Sequence, residues 1–236
     1  MNLLLTSAAA PLAQQLAAGL RANHTIRLTE RVPVNGLTNL AVSPLGPDFS
    51  TNLLVRGVDA IIHVAEPLPT DSDQQRIDYL TRCTYNLCVA AAAEGVKRLI
   101  YLNTLDIMTA YGPAYFVGES WRPRPTTAAP LLGKHLGEVT CREFAREVQL
   151  AVVSLRLGTV MSSDDTAATA DPMWLDPRDA VQAIESVLAT DLPQRWSVFH
   201  IQHKAPNARF PILLAEQQLH FAPQYNRPGA SAGGAQ

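Results

Sequence analysis

The chain has 236 residues, 47% apolar and 17% charged, which is enough to bury one substantial core and fits one soluble globular domain. Its formal net charge is −2 and Lys and Arg form no block, so nothing offers an electrostatic footprint for nucleic acid or an anionic membrane. Cys83, Cys88 and Cys141 make an odd count without metal-ligand spacing, which predicts buried free thiols in a reducing cytoplasm and no metal site. The first apolar run is too short to span a bilayer and has no basic n-region, so no export or membrane role is expected.

In chain order, Asn2–Leu5 reads as a short buried strand that enters the turn Thr6-Ser7-Ala8-Ala9-Ala10-Pro11. Leu12, Leu16 and Leu20 then recur at four-residue spacing, predicting an amphipathic helix over Pro11–Arg21 with Pro11 in its first turn. Further strands are expected at Thr25–Thr29, Ala60–Val64, Leu99–Leu102, Ala151–Leu155 and Ser197–Ile201. Between them, Asp73–Glu94 reads as a long helix closing at Gly95, and a second begins near Gly133 with Leu136, Thr140, Phe144 and Val148 on one face. Asp176-Pro177-Arg178-Asp179 has the form of an N-cap, a first-turn proline and an acid at N3, opening a helix to about Leu188. Strands alternating with helices predict an α/β doubly wound parallel sheet. We expect one domain over residues 1–225, with a small C-terminal lobe from about 160 to 225 and a Gly/Ala/Ser-rich disordered tail over 226–236.

Five stretches carry a resemblance: Gly57-Val58-Asp59-Ala60-Ile61-Ile62-His63-Val64-Ala65, Ala91 to Tyr101, Ser154 to Val160, Trp174 to Ile184, and Pro206 to Phe210. Their order resembles the NAD-dependent epimerase/dehydratase family, the extended short-chain dehydrogenases. The resemblance implies a Rossmann-like sheet with a reduced C-terminal substrate lobe, NAD or NADP as cofactor, and a homodimer formed through the two long helices. Carried over by position, Ser7, Ala10 and Ala13 occupy the glycines of the GxxGxxG phosphate loop, with Pro11 and Leu12 beside them. Val64 and Ala65 would line the cofactor, and Glu30 would hold the adenosine ribose. Arg31 would instead favour a 2′-phosphate, so NAD against NADP stays open. Thr104 falls on the catalytic Ser/Thr and Lys134 on the catalytic lysine.

The departures from the family pattern are chemical. Pro130 stands where the catalytic tyrosine belongs, Leu80 where an asparagine supports the site, and Leu157 and Thr159 replace the Pro and Asn of an R-P-x-N stretch. Ser7, Ala10 and Ala13 are small enough to keep the turn and its packing. Pro11 offers no N–H where a helix N-terminus would hold a phosphate. Losing two charge-assisted hydrogen bonds weakens binding by about 10² to 10⁴, so dinucleotide binding is expected to be weak or lost. Losing a general acid–base costs about 10² to 10⁴ in rate.

Tyr111 and Tyr115, in the loop after the Thr104 strand, are the candidate replacements for that tyrosine, with Asp106 and His135 behind them; Tyr79, Tyr85 and Tyr225 lie elsewhere in the frame. The expectation is a pseudoenzyme that binds a ligand or partner in the old cleft. Its alternative is an active NAD(P)-dependent epimerase, dehydratase or reductase that uses Tyr111 or Tyr115. A third reading, a non-redox enzyme, requires Asp106, His135 and Lys134 to share a pocket. Taken singly, Glu30, Arg31 and Lys134 also fit solvated charges, Thr104 a strand-end cap, and His63 packing.

Overall fold

The structure is a computed structural model and describes residues 1–162 and 172–225. The first strands are β1 (Asn2–Leu5), β2 (Thr25–Glu30), β3 (Leu40–Val42), β4 (Ala60–His63), β5 (Arg98–Thr104) and β6 (Ala151–Leu157). A separate pair, β7 (Thr159–Val160) with β8 (Trp174–Leu175), precedes β9 (Trp196–Ile201). The main sheet is parallel, in the order β3-β2-β1-β4-β5-β6-β9. Each expected strand coincides with an observed one, and the doubly wound architecture is present.

Both faces of this sheet are buried, as parallel sheets require. Leu3, Leu5, Ala60, Ile62, Ile100 and Leu102 point to one apolar cluster, while Leu4, Ile61, Leu99 and Tyr101 point to another. The first cluster is closed by α1 (Pro11–Leu20) and, later in the chain, by α6 (Pro177–Ala189) and α7 (Leu213–Leu219). The second lies under α2 (Phe49–Val55), α4 (Thr84–Ala93) and α5 (Ala129–Glu147), with Tyr79, Leu80 and Cys83 of the turn between α3 (Asp73–Asp78) and α4. A π-helical turn, Tyr79–Cys83, joins α3 to α4, so the expected Asp73–Glu94 helix is continuous but locally widened. Gly95 ends it at φ +73°. The three cysteines are free and buried, as expected.

Two expectations need correction. The second long helix starts at Ala129 rather than Gly133, because Pro130 sits in the first turn, where a helix tolerates proline. Its buried face is Ala129, Gly133, Gly137, Cys141 and Ala145, whereas Leu136 is 38% exposed. Hydrophobic periodicity selects large apolar residues, but α5 approaches its neighbours so closely that only small ones fit. Beyond residue 160, α6 (Pro177–Ala189) packs on α1, and β9 pairs with β6 in the main sheet. The β7–β8 pair and α7 (Leu213–Leu219) stand outside that sheet. The tail expected over 226–236 lies outside the described residues.

Asp176 caps α6 as its sequence pattern predicts, accepting the Arg178 N–H at 2.9 Å, with Pro177 in the first turn. Asp176→Ala is expected to cost about 1 kcal/mol, within the 0.5–2 kcal/mol of lost caps. Urea denaturation should show the midpoint falling with an unchanged slope.

Candidate functional site

The strand order reverses between β1 and β4, which opens a crevice at the carboxyl ends of these strands. The loop after β1 forms one wall. Ser7 adopts φ 54°, a left-handed conformation that costs a residue with a Cβ roughly 1–2 kcal/mol. Two bonds hold it there: Ser7 Oγ lies 2.7 Å from the Tyr79 hydroxyl and accepts the Glu66 N–H at 3.0 Å. Tyr79 is fully buried, and burial pushes its hydroxyl well above the ordinary tyrosine range.

The loop amides are turned inward. Ala8 N–H donates to Thr29 O at 3.1 Å, Ala9 N–H to Glu30 Oε2 at 3.1 Å, and Ala10 N–H to Ser7 O at 2.9 Å. Pro11, next in line, has no N–H. Glu30 is only 3% exposed and also accepts the Arg31 N–H at 2.8 Å. The Arg31 guanidinium pairs with buried Asp71 and lies 4.3 Å over the Tyr79 ring.

Two cavities share Glu66, Pro67 and Pro130. The outer one, about 430 Å³, is lined by Ala9, Ala10, Pro11, Glu30, Leu68, Pro69 and Arg76 as well. The inner one, about 290 Å³, brings together Leu12, Val64, Leu80, Thr104, Asp106, Leu131, Lys134, Leu157 and Val160. Lys134 Nζ donates to Val64 O at 2.9 Å and Leu102 O at 2.8 Å, and among the described residues its nearest carboxylate, Glu66, is 4.0 Å away. Burial pushes the Lys134 ammonium down to about 8, which Glu66 only partly opposes. Thr104 Oγ1 donates to Asp106 Oδ2 at 3.0 Å and accepts the Asp106 N–H at 3.1 Å.

Beneath this cavity runs a buried chain of polar contacts. His63 is pushed down to about 3 by burial and by the Lys134 charge, so it is neutral. With Nε2–H donating to Thr84 Oγ1 at 2.9 Å and Nδ1 accepting from Thr6 Oγ1 at 2.8 Å, every polar atom in the row is satisfied, because Thr84 donates onward to Leu80 O. His63 is therefore a positioning bridge between β1, β4 and α4. Glu138 and Arg156 form a second buried unit, paired at 2.6 Å, with Asn103 and Ser154 donating to the same carboxylate.

The structure thus gathers Thr104, Lys134, Leu12 and Val64 in one cavity and Ala10, Pro11 and Glu30 in the next. Ala65 is fully buried at φ 53° and lines neither; Ser7 meets the cleft only through Glu66. Arg31 faces a separate cavity beside α3. The candidate replacements for the tyrosine fall elsewhere: Tyr111 donates its hydroxyl to Arg122 O at 2.6 Å and packs on Trp121, while Tyr115 is 57% exposed against the same ring. Proximity in the chain brought them near the Thr104 strand, but the Trp121 loop captures both. His135 likewise lines a different cavity with Glu119 and Arg142, so Asp106 and Lys134 share the cleft without it. Sequence reasoning passed over Tyr79 and Glu66, which hold the loop. Among the described residues, no three His, Cys, Asp or Glu side chains are placed to hold a metal.

A doubly wound parallel sheet with a glycine-loop counterpart and a half-buried lysine over the ends of β4 and β5 defines a Rossmann-like protein of the short-chain dehydrogenase type. The chain belongs to the NAD dependent epimerase/dehydratase family, whose profile matches residues 21–198. The match begins downstream of the Ser7–Ala13 loop. The L-arabinose 1-dehydrogenase (NAD(P)(+)) of Haloferax volcanii is 24% identical over 211 residues, covering 80% of this chain and 82% of that protein. Uronate dehydrogenase from Agrobacterium tumefaciens superposes with a TM-score of 0.81 at 21% identity, covering 96% of this chain and 85% of the other. MoeE5, solved in complex with UDP-glucuronic acid and NAD, gives 0.78 at 17% identity, covering 96% and 95%. At these identities the solved structures show a shared fold.

Proposed function

We propose that this chain has lost the redox chemistry of its family and uses the cleft around Lys134 to bind a small molecule. The observation that carries this reading is the inward-turned loop: the amides of Ala8, Ala9 and Ala10 are bonded within the protein and Pro11 has none. A pyrophosphate fits such a loop poorly, since anion binding at a helix N-terminus depends on free N–H groups. Glu30, which would take the ribose, is engaged by Ala9 and Arg31. Pro130 supplies no proton at the tyrosine position, and neither Tyr111 nor Tyr115 lines the cavity holding Lys134.

The inner cavity remains open and mainly apolar, which supports ligand binding without nucleotide. Hydride-transfer assays with NAD⁺ or NADP⁺ against aldoses, uronates and UDP-sugars are expected to show no nucleotide reduction above the protein-free rate. Turnover dependent on Lys134 would support the second reading, an active NAD(P)-dependent oxidoreductase that uses Asp106 beside Thr104 in place of the tyrosine.

The chain is also proposed to form a homodimer through α4 and α5. Tyr85, Val89 and Leu136 are exposed there, and Tyr85 meets Phe144 edge to face at 5.4 Å between centroids. Light scattering after size exclusion should give twice the chain mass at micromolar concentration; a monomer would remove this part.

A further inference from the structure

We propose that Lys134 is a nucleophilic amine that forms an imine with a small apolar aldehyde or ketone bound in the inner cavity. The inference rests on the reading that this cavity holds a small molecule. Lys134 is one of three lysines in the chain, with Lys97 and Lys204, and those two are exposed. Its two backbone acceptors, Val64 O and Leu102 O, match the two N–H groups of a neutral amine. Two acceptors leave the third position of the nitrogen without a protein acceptor among these bonds, so the proton there can be given up and its lone pair turned to a bound carbonyl. In family members a tyrosine hydroxyl belongs beside this nitrogen; here Pro130 lines the cavity and offers it neither a proton nor a charge.

Among the described residues, few groups face Lys134. Glu66 follows β4 at 4.0 Å, the Tyr101 ring of β5 lies 6.0 Å away, His63 of β4 is neutral, and Asp106 lines the same cavity. With the ammonium pushed down to about 8, roughly a tenth of Lys134 is free amine at pH 7, against less than about 0.1% for an ordinary lysine near 10.4. The walls are Leu12, Leu80, Leu131, Leu157 and Val160, and the 290 Å³ volume equals that of roughly ten waters in the liquid. A short apolar carbonyl compound suits both.

The step is balanced without an oxidant. The amine nitrogen bonds to the carbonyl carbon as the π pair moves to oxygen; one N–H proton passes from nitrogen to that oxygen, a second proton from the solvent makes it water, and the C–O bond breaks as the nitrogen lone pair forms C=N. The protonated imine keeps one N–H for Val64 O or Leu102 O. Thr104 and Asp106, joined by a hydrogen bond at 3.0 Å, line the cavity as the proton relay.

The test uses butanal with sodium cyanoborohydride at pH 7, which reduces the protonated imine in preference to the aldehyde, followed by peptide mapping of all three lysines. The expected result is a butyl adduct on Lys134 at least about tenfold above Lys97 and Lys204, a labelling rate that rises toward pH 8, and no adduct at position 134 in a folded Lys134→Arg variant. Equal or preferential labelling of the exposed lysines would overturn the proposal. Methyl NMR with 1-butanol, which cannot form an imine, separates the two failures. Shifts at Leu12 and Leu131 without trapping on Lys134 would leave the cavity reading standing and remove the imine. No shifts with either compound would remove both.

Discussion

Glu138→Gln is expected to destabilise the fold by about 3–5 kcal/mol, the cost of leaving one member of a buried ion pair uncompensated. Glu138 is 4% and Arg156 3% exposed, and the carboxylate takes two bonds from the guanidinium and one each from Asn103 and Ser154. Removing the charge leaves Arg156 in the interior with Met108 Sδ and Glu119 O as its other contacts. Thermal unfolding should fall by roughly 10 °C for a chain of this size. Replacing both residues, Glu138→Leu with Arg156→Met, should recover most of the loss, because the desolvation cost of both charges disappears together. A double variant no more stable than Glu138→Gln would contradict this account of the pair.

The same carboxyl carries an acid-sensitivity prediction. Burial alone would raise its pKa, but the Arg156 guanidinium, with Ser154 and Asn103, more than offsets burial and holds it below the ordinary 4.5. A depressed folded-state value means that the stabilisation is complete above the ordinary, unfolded value and is lost as pH falls through the lower, folded one. Wild-type stability should therefore fall steeply below about pH 4.5, and the Glu138→Leu/Arg156→Met variant less so. The effect reaches the site as well: Asn103, held by Glu138, accepts the Thr104 N–H at 2.8 Å, so the pair positions the Thr104–Asp106 turn.

Gly137→Ala is the second large effect. A Cβ there would lie 2.6 Å from Leu80 O and collide with the Tyr101 hydroxyl, which donates to Lys134 O at 3.0 Å. Leu80 O belongs to the π-helical turn and already accepts from Thr84, so backbone rather than a flexible side chain must move. Overpacking of this kind costs about 1–3 kcal/mol, and more where backbone is the obstacle. Gly133 makes the same close approach, with Leu80 Cδ1 at 2.6 Å from an added Cβ. Chemical denaturation of Gly137→Ala should show the loss; a variant within 0.5 kcal/mol of wild type, the range of neutral surface changes, would contradict the tight α5 packing.

Why some of this could be read from the chain and some could not follows from sequence separation. The strands and α1, α4 and α6 are local patterns: apolar runs, four-residue leucine spacing, Gly95 at a C′ position, and the Asp176-Pro177 cap. Lys134, Thr104, Leu12 and Val64 fall in one cavity because the family frame orders them along the strand ends. The short β3 and α2 were missed, although Asp48 caps α2 through Ser50 N–H. Tyr79 reaches Ser7 across 72 positions, a contact no local pattern encodes. Glu138 left a fainter trace, four residues after Lys134 on a face otherwise made of glycines and small residues. Tyr111 and Tyr115 misled because nearness in the chain to Thr104 says nothing of the ring, Trp121, that captures them.

Isothermal titration calorimetry against NAD⁺, NADH, NADP⁺ and NADPH, each to millimolar concentration, tests the central claim most directly. With Ala8, Ala9 and Ala10 bonded inward and Pro11 lacking an N–H, no binding heat is expected from any of the four. Micromolar binding of one of them would mean that the loop opens to cradle a pyrophosphate, and would contradict the loss of nucleotide chemistry proposed for this cleft.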